Sequence, residues 1–242
     1  MTLLSVNVNK IALLRNSRGR DYPSVLDFAQ RLVDLGVRGI TVHPRPDERH
    51  ITRRDTYELG EWIAQLDGVE FNVEGYPSEQ FLAMVCEIQP DQCTLVPDEP
   101  GQLTSDHGWQ VDRHQAQLAG VIDRLRGAGI RSSLFLDPEP ALVESVREVS
   151  ADRIELYTEE YASSYGSQDE ARVFASYFDT AARALEFGIG VNAGHDLDLA
   201  NLGRFLEIPG IQEVSIGHAL VVECLELGVE KVISSYLDIT GR

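Results

Sequence analysis

The sequence predicts a single α/β domain, residues 1–242, folded as a (β/α)8 TIM barrel with extra helices, and three observations carry that reading. Eight short apolar runs recur along the chain, at residues 3–8, 39–43, 70–74, 92–97, 131–137, 153–158, 188–195 and 213–218. Helical patterns with one apolar stripe fill the intervals between them. The tails of the runs supply residues able to do chemistry, namely Asn7, Asn9, Lys10, His43, Glu74, Asp137, Glu155, His195 and His218. Buried parallel strands read as continuous apolar stretches, and in a closed barrel all the carboxyl ends open on one face, where active sites gather. A length of 242 residues with 43% hydrophobic content suits one such domain with a full core.

The first run leads into Asn7-Val-Asn-Lys10 rather than a glycine-rich dinucleotide fingerprint, which favours closure over an open doubly wound sheet. Pro23 fits the first turn of a helix whose Val25, Leu26, Ala29, Leu32 and Val33 form one stripe, with Gly36 as its stop. After the second strand, Leu59, Trp62, Ile63 and Leu66 repeat at helical spacing. Helices at 77–88, 111–127 and 138–149 follow the next three strands. Ser167, ahead of Asp169 and Glu170, marks the start of a long helix carrying Val173, Phe174, Tyr177, Phe178, Ala181 and Leu185. Segments 196–206 and 219–236 complete the helical set. Two segments, 97–110 and 157–168, are longer than a barrel needs, and long loops on the catalytic face are candidate lids.

A net charge of −18 argues against nucleic acid and anionic membranes, both of which reward a basic surface. No apolar stretch approaches the ~20 residues that span a bilayer. The amino terminus lacks the pattern of a secretory signal, with Lys10 and Arg15 interrupting it, so a cytoplasmic protein is expected. Cys86, Cys93 and Cys224 are odd in number and lack the close pairs of a zinc site, which predicts free thiols. Against the acidic background, segment 43–54 gathers four arginines and two histidines just after the second strand. Arginine's planar fork suits phosphate, so an anionic metabolite is the expected partner.

Lys10 and Lys231 are the only lysines in the chain. Lys10 at a strand end has three readings: a Schiff-base nucleophile, a phosphate ligand, or an ion-pair partner for Glu74 or Glu155. Glu74 closes the apolar Phe-Asn-Val-Glu run, and Glu155 lies mid-strand, facing either the barrel interior or a helix. An inward carboxylate must be paired or protonated. His43, His50, His195 and His218 fall at or soon after strand ends, and imidazole passes protons both ways near neutral pH. Zinc or iron held by these histidines with Glu74 is the rival, but no helical His-Glu motif supports it, and no metal is expected. Gly194-His195-Asp196 and Gly217-His218-Ala219 each join a strand to a helix, where backbone amides can meet an anion. Asp196 complicates the first, since it can cap a helix or repel phosphate.

At these residues the chain resembles the pyridoxine 5'-phosphate synthase family from the first strand to the last. The specific pieces are Asn7-Val-Asn-Lys-Ile-Ala-Leu-Leu-Arg-Asn-Ser-Arg-Gly19, Gly39-Ile-Thr-Val-His-Pro-Arg-Pro-Asp-Glu-Arg-His-Ile51, Asn192-Ala-Gly-His195 and Ser215-Ile-Gly-His-Ala219. The resemblance implies a (β/α)8 barrel assembling as a homo-octamer, with no cofactor. It also implies a reaction that closes a pyridine ring from 1-deoxy-D-xylulose 5-phosphate and 3-amino-2-oxopropyl phosphate, releasing phosphate and water. Carried over by residue, it makes His43 and Glu74 proton acceptors, His195 a proton donor and Glu155 a carboxylate that steadies the transition state. Asn7, Arg18, Gly217 and His218 would hold the aminoketone phosphate, and Arg45, His50 and Thr104 the sugar phosphate. The family pattern in strand one is Asn-x-Asp-His, so Asn9 and Lys10 depart from it at positions expected to touch the sugar phosphate. Asp196 likewise stands where glycine is familiar beside the proton donor.

Overall fold

The computed structural model describes residues 1–98 and 105–241. Its strands are β1 (Leu3–Asn7), β2 (Gly39–Val42), β3 (Glu70–Gly75), β4 (Gln92–Leu95), β5 (Arg131–Leu136), β6 (Arg153–Tyr157), β7 (Gly190–Gly194) and β8 (Ile211–Ile216). All are parallel, each pairs with its sequence neighbours, and β8 returns to β1 through Leu3 opposite Glu213, so the sheet closes in chain order. The helices are α1 (Asn9–Asn16), α2 (Val25–Asp34), α3 (Arg53–Ile63), α4 (Glu79–Ile88), α5 (Val111–Gly127), α6 (Leu142–Val149), α7 (Glu159–Ser164), α8 (Glu170–Glu186), α9 (Leu202–Phe205), α10 (His218–Leu227) and α11 (Val229–Thr240). The expected barrel is therefore the fold.

Side-chain alternation along each strand divides two environments. Leu4, Val6, Ile40, Val42, Val73, Leu95, Leu134, Ile154, Val191 and Val214 are buried in the apolar shell they form with the helices. The other parity turns into the barrel, and it is polar. Such barrels usually stack branched apolar side chains inside. Here the Ser5 and Thr41 hydroxyls lie 2.7 Å apart, Asn72 donates to Thr41, and Thr94 reaches both Asn72 (3.1 Å) and Glu155 (3.3 Å). Below them Arg153 donates to Gln92, Asn192 and Glu213, while Asn192 donates to Gln92 and Glu213 at 3.2 Å. Arg131 ties this floor to Gln92 and Glu70.

The sequence reading differs from the structure mainly at element ends. His43 and His195 immediately follow their strands, and Lys10 lies in α1 rather than closing β1. α1 was not legible because its stripe is weak and a buried ion pair, Arg15 with Asp55 of α3, anchors it. Pro23 stands ahead of α2, whose cap is Ser24 accepting from Asp27 N. The candidate lid at 157–168 contains α7, segment 196–206 is α-helical only at α9, and the continuous helix expected at 219–236 is two. Gly228, at φ 87°, makes that break, inside a run apolar enough to disguise it.

Candidate active site

The strand ends surround a cavity of about 520 Å³. Its lining includes Asn7, Asn9, Lys10, His43, Arg45, His50, Glu74, Glu155, His195, Asp196, Gly217 and His218, all expected from the sequence. Arg18 is exposed in the turn after α1, outside this lining, and Thr104 lies outside the described residues. Asp137 also stays out of the cavity; its carboxylate accepts from Gly108 N at 3.0 Å and holds the approach to α5.

Two asparagines organise the start of the site. Asn7 accepts from Asn9 N at 3.0 Å and donates toward Glu74 at 3.4 Å. The Asn9 side-chain oxygen accepts from His43 N at 2.9 Å, so the first residue of α1 fixes the residue after β2. His43 Nδ1 lies 3.9 Å from Glu74 Oε2, with both side chains almost entirely shielded. Burial, reinforced by the charges of Arg45, His50 and Arg49, holds the His43 imidazole well below its ordinary pKa, so it is neutral at pH 7. Burial and the neighbouring Glu155, Glu213 and Asp98 charges push Glu74 well above the usual carboxylate range. Burial first, then Glu213, pushes Glu155 up to about 8, against the hydrogen bond from Thr94. Glu155 faces inward, and its raised pKa keeps it mostly protonated at neutral pH.

Segment 44–52 forms the basic wall. Asn16 of α1 donates to the backbone oxygens of His50 (2.8 Å) and Arg49 (3.1 Å), which ties this loop to the helix. His50 Nδ1 accepts from Ile51 N at 2.9 Å, and burial together with Arg45 and Arg49 lowers its pKa to about 4. A neutral His50 with the Nδ1 position taken presents an Nε2–H donor. Arg45 pairs with buried Asp98, whose same oxygen accepts from Ser105 at 2.7 Å. Among the described residues, the other Asp98 oxygen is buried without a hydrogen bond.

A second anion-attracting region lies across β1, at the start of α10. Among the described residues no side chain caps this helix, and its first residue, His218, lines the cavity beside Gly217 and Ser215. Exposed amides and the helix dipole favour an anion there. At the end of β7, a Cβ on Gly194 would come within 2.8 Å of both Glu155 Oε1 and Ser215 O, so glycine is what lets the carboxylate sit there. His195 packs edge-on against Tyr157, ring centres 5.2 Å apart, and its Nδ1 lies 2.8 Å from Asp196 Oδ2.

Sequence reasoning omitted Ser215, Ser105, Phe135, Val96 and Leu13 from the lining, along with Asp98 behind it. Strand parity held a signal for two of them. Ser215 stands two residues before Gly217, and Phe135 four after the polar Arg131, so each shares the inward side. Among the described residues no cluster of metal-ligating side chains is found.

A cavity at the carboxyl face of a (β/α)8 barrel, lined with imidazole, carboxylate and guanidinium groups, defines the barrel-enzyme class. The chain belongs to the family described as pyridoxal phosphate biosynthesis protein PdxJ, which matches residues 4–242. It is 49% identical over 237 residues to pyridoxine 5'-phosphate synthase of Bacteroides thetaiotaomicron, covering 98% of each chain. It is 45% identical over 252 residues to the enzyme of the same name from Leptospira biflexa, covering 99% of this chain and 97% of that one. The fold is shared more widely. The tryptophan synthase alpha-subunit of Pyrococcus furiosus superposes with a TM-score of 0.64 at 15% identity, covering 100% of this chain and 98% of that one. Thiamine phosphate pyrophosphorylase from the same organism gives 0.62 at 13% identity, covering 99% and 95%.

Proposed function

We propose that this chain performs the reaction of pyridoxine 5'-phosphate synthase: it condenses 1-deoxy-D-xylulose 5-phosphate with 3-amino-2-oxopropyl phosphate, closing the pyridine ring with release of phosphate and water. Family membership supports the reaction. The observation that carries the mechanism is the single cavity joining four proton-handling groups to two anion-attracting regions on either side of β1.

Each group has a task matched to its environment. Neutral His43 accepts protons, and so does the ionised form of Glu74, a stronger base in these surroundings than an ordinary carboxylate. Positive charge developing beside Glu155 lowers its pKa and favours its carboxylate form, which steadies that charge. His195 donates to the departing oxygens. Asn7, Gly217 and His218, joined by Arg18, hold the aminoketone phosphate, while Arg45, His50 and Thr104 hold the sugar phosphate, with Asn9 and Lys10 beside it. Repeated proton transfer by such groups, each worth ~10² to 10⁴ in rate, serves condensation, dehydration and aromatisation. Holding two phosphorylated substrates together adds several kcal/mol through proximity.

The protein works in the cytoplasm as a homo-octamer, and the exposed Tyr22, Val222, Leu225 and Leu227 are surfaces such an assembly would cover. No helix of the described residues is long and apolar enough to cross a membrane. Mixing both substrates with folded protein and detecting pyridoxine phosphate by mass tests the activity, and native mass measurement tests the assembly. Inactivity with both substrates overturns the reading, and tight product binding without turnover would mark a metabolite sensor instead.

A further inference from the structure

We propose that Asp196 is the positioning residue of His195: its carboxylate accepts the Nδ1–H of the imidazole, so that proton donation runs through Nε2. The inference rests on the reading of His195 as the proton donor. Its starting observation is the 2.8 Å contact between His195 Nδ1 and Asp196 Oδ2.

The backbone around this pair is unusual. His195 and Asp196 both adopt the left-handed region, at φ 80° and 57°. Consecutive non-glycine residues there are held only where surrounding contacts over-determine them, and such strain gathers at functional sites. Those contacts are present. The Thr158 hydroxyl donates to the backbone oxygens of Gly194 and His195, and Asn201 Nδ2 donates to Asp196 O at 3.2 Å. The fixed turn directs the Asp196 carboxylate back onto the ring of the preceding residue.

Capping does not account for that carboxylate. The turn leading to α9 is capped by Asp198, which accepts from Ala200 N and Asn201 N at 2.8 Å. The bond to His195 draws Asp196 below the usual carboxylate range, with the charges of His195, His218 and Lys10 acting in the same direction. Tyr157 closes the other side of the ring. An imidazole that donates through Nε2 becomes the Nδ1–H tautomer, and a carboxylate on Nδ1 holds that tautomer and that ring orientation. A negative group beside an anion-binding cavity is thereby engaged with the donor rather than with phosphate.

Asp196→Gly and Asp196→Asn test this, because glycine and asparagine both tolerate a left-handed backbone and leave the turn intact. Both variants should lose turnover on the order of 10²-fold, with KM for either substrate changed by less than about threefold. Added formate should restore turnover to Asp196→Gly but not to Asp196→Asn. In 15N-histidine-labelled wild type, the His195 resonances, identified by their loss in His195→Gln, should report a protonated Nδ1. In Asp196→Gly that nitrogen should be partly unprotonated. Undiminished turnover in Asp196→Gly, a rise in KM in place of the fall in kcat, or an unprotonated Nδ1 in wild type would each overturn the proposal. A wild type inactive with both substrates would overturn the reaction assigned above, while the nitrogen resonances still decide whether Asp196 holds Nδ1.

Discussion

Replacing Asp55 with alanine should unfold the protein earlier and loosen its basic wall at the same time. The Asp55 carboxylate receives both terminal nitrogens of Arg15, the second at 2.8 Å, and the two side chains are only 8% and 10% exposed. Its oxygen also accepts from Thr52 N at 2.7 Å, completing the capping box of α3. Removing one partner of a buried pair costs about 3–5 kcal/mol because the other charge is left behind. Arg15 retains weaker contacts to Asn16 Oδ1 and His50 O, which favours the lower end, about 3 kcal/mol. For a chain of this size that is a fall of about 6–12 °C in Tm. Because the same arginine and Asn16 hold the backbone at His50, KM for the sugar phosphate should rise as well. The pH dependence has a definite sign. Burial raises Asp55, but hydrogen bonds from Arg15 and Thr52 outweigh it and leave the carboxyl below its ordinary value of 3.8. The stabilisation is therefore complete above pH ~4 and is lost as pH falls through the lower, folded value. Thermal and urea unfolding from pH 3 to 8 measure this. The reasoning is refuted if Asp55→Ala lowers Tm by less than about 2 °C at pH 7. It is also refuted if the apolar pair Arg15→Met with Asp55→Leu recovers none of the loss.

His43→Ala and Glu74→Gln should each reduce kcat by at least ~10² while changing substrate affinity little, and equal losses in both would mark structural positions. Gly194→Ala forces a methyl against Glu155 Oε1 and Ser215 O, so it should cost about 1–3 kcal/mol in urea unfolding and displace the carboxylate, with turnover falling further than stability. Glu155→Gln should raise stability at high pH: the native carboxyl binds its proton up to about pH 8 whereas the unfolded one releases it near 4.5, so wild-type stability declines as pH rises through that window. Unfolding of the variant and wild type at pH 6 and 9 checks this, the expected gap at pH 9 being larger by a few kcal/mol; an unchanged gap would place the ionised carboxylate in a solvated setting.

Strand order and closure were legible because eight apolar runs, each with a helical stripe behind it, leave few other ways to bury that much surface. Position at the carboxyl end of a strand is a local property, so the histidines and glutamates there could be gathered into one site without knowing the pairing. Glu155 shows where local information stops. Its inward direction is fixed by register, opposite Phe135 on one side and Asn192 on the other, and by Thr94 from a strand sixty-one residues away. Asp98 was invisible for a related reason: nothing near it in the sequence signals a buried acid, and only its pairing with Arg45 gives it meaning. α1 needed Asp55 from another helix before its polar face made sense. Position along a strand was readable; the identity of the partner across the molecule was not.

The polar barrel interior connects stability to chemistry in one physical argument. A lumen filled with valine and isoleucine would be more stable, since buried carboxylates carry a desolvation penalty that raises Glu74, Glu155 and Glu213, the last to about 7. The same penalty makes Glu74 useful, because an ordinary solvent-facing carboxylate is too weak a base to take protons from carbon or nitrogen acids at neutral pH. Repulsion from Glu155 and Glu213 adds to the effect at Glu74, and repulsion from Glu213 adds to it at Glu155. The floor limits the cost: Arg153 and Arg131 lower Glu213 against burial, and Gln92 and Asn192 satisfy its oxygen, so the charge nearest the closed end is contained. Removing the floor cation, as in Arg153→Met, would leave Glu213 to take up a proton more readily and relieve its repulsion of Glu155. A change at the floor of the lumen, outside the cavity lining, would then act on catalysis through the electrostatics of the lumen, without any contact with substrate.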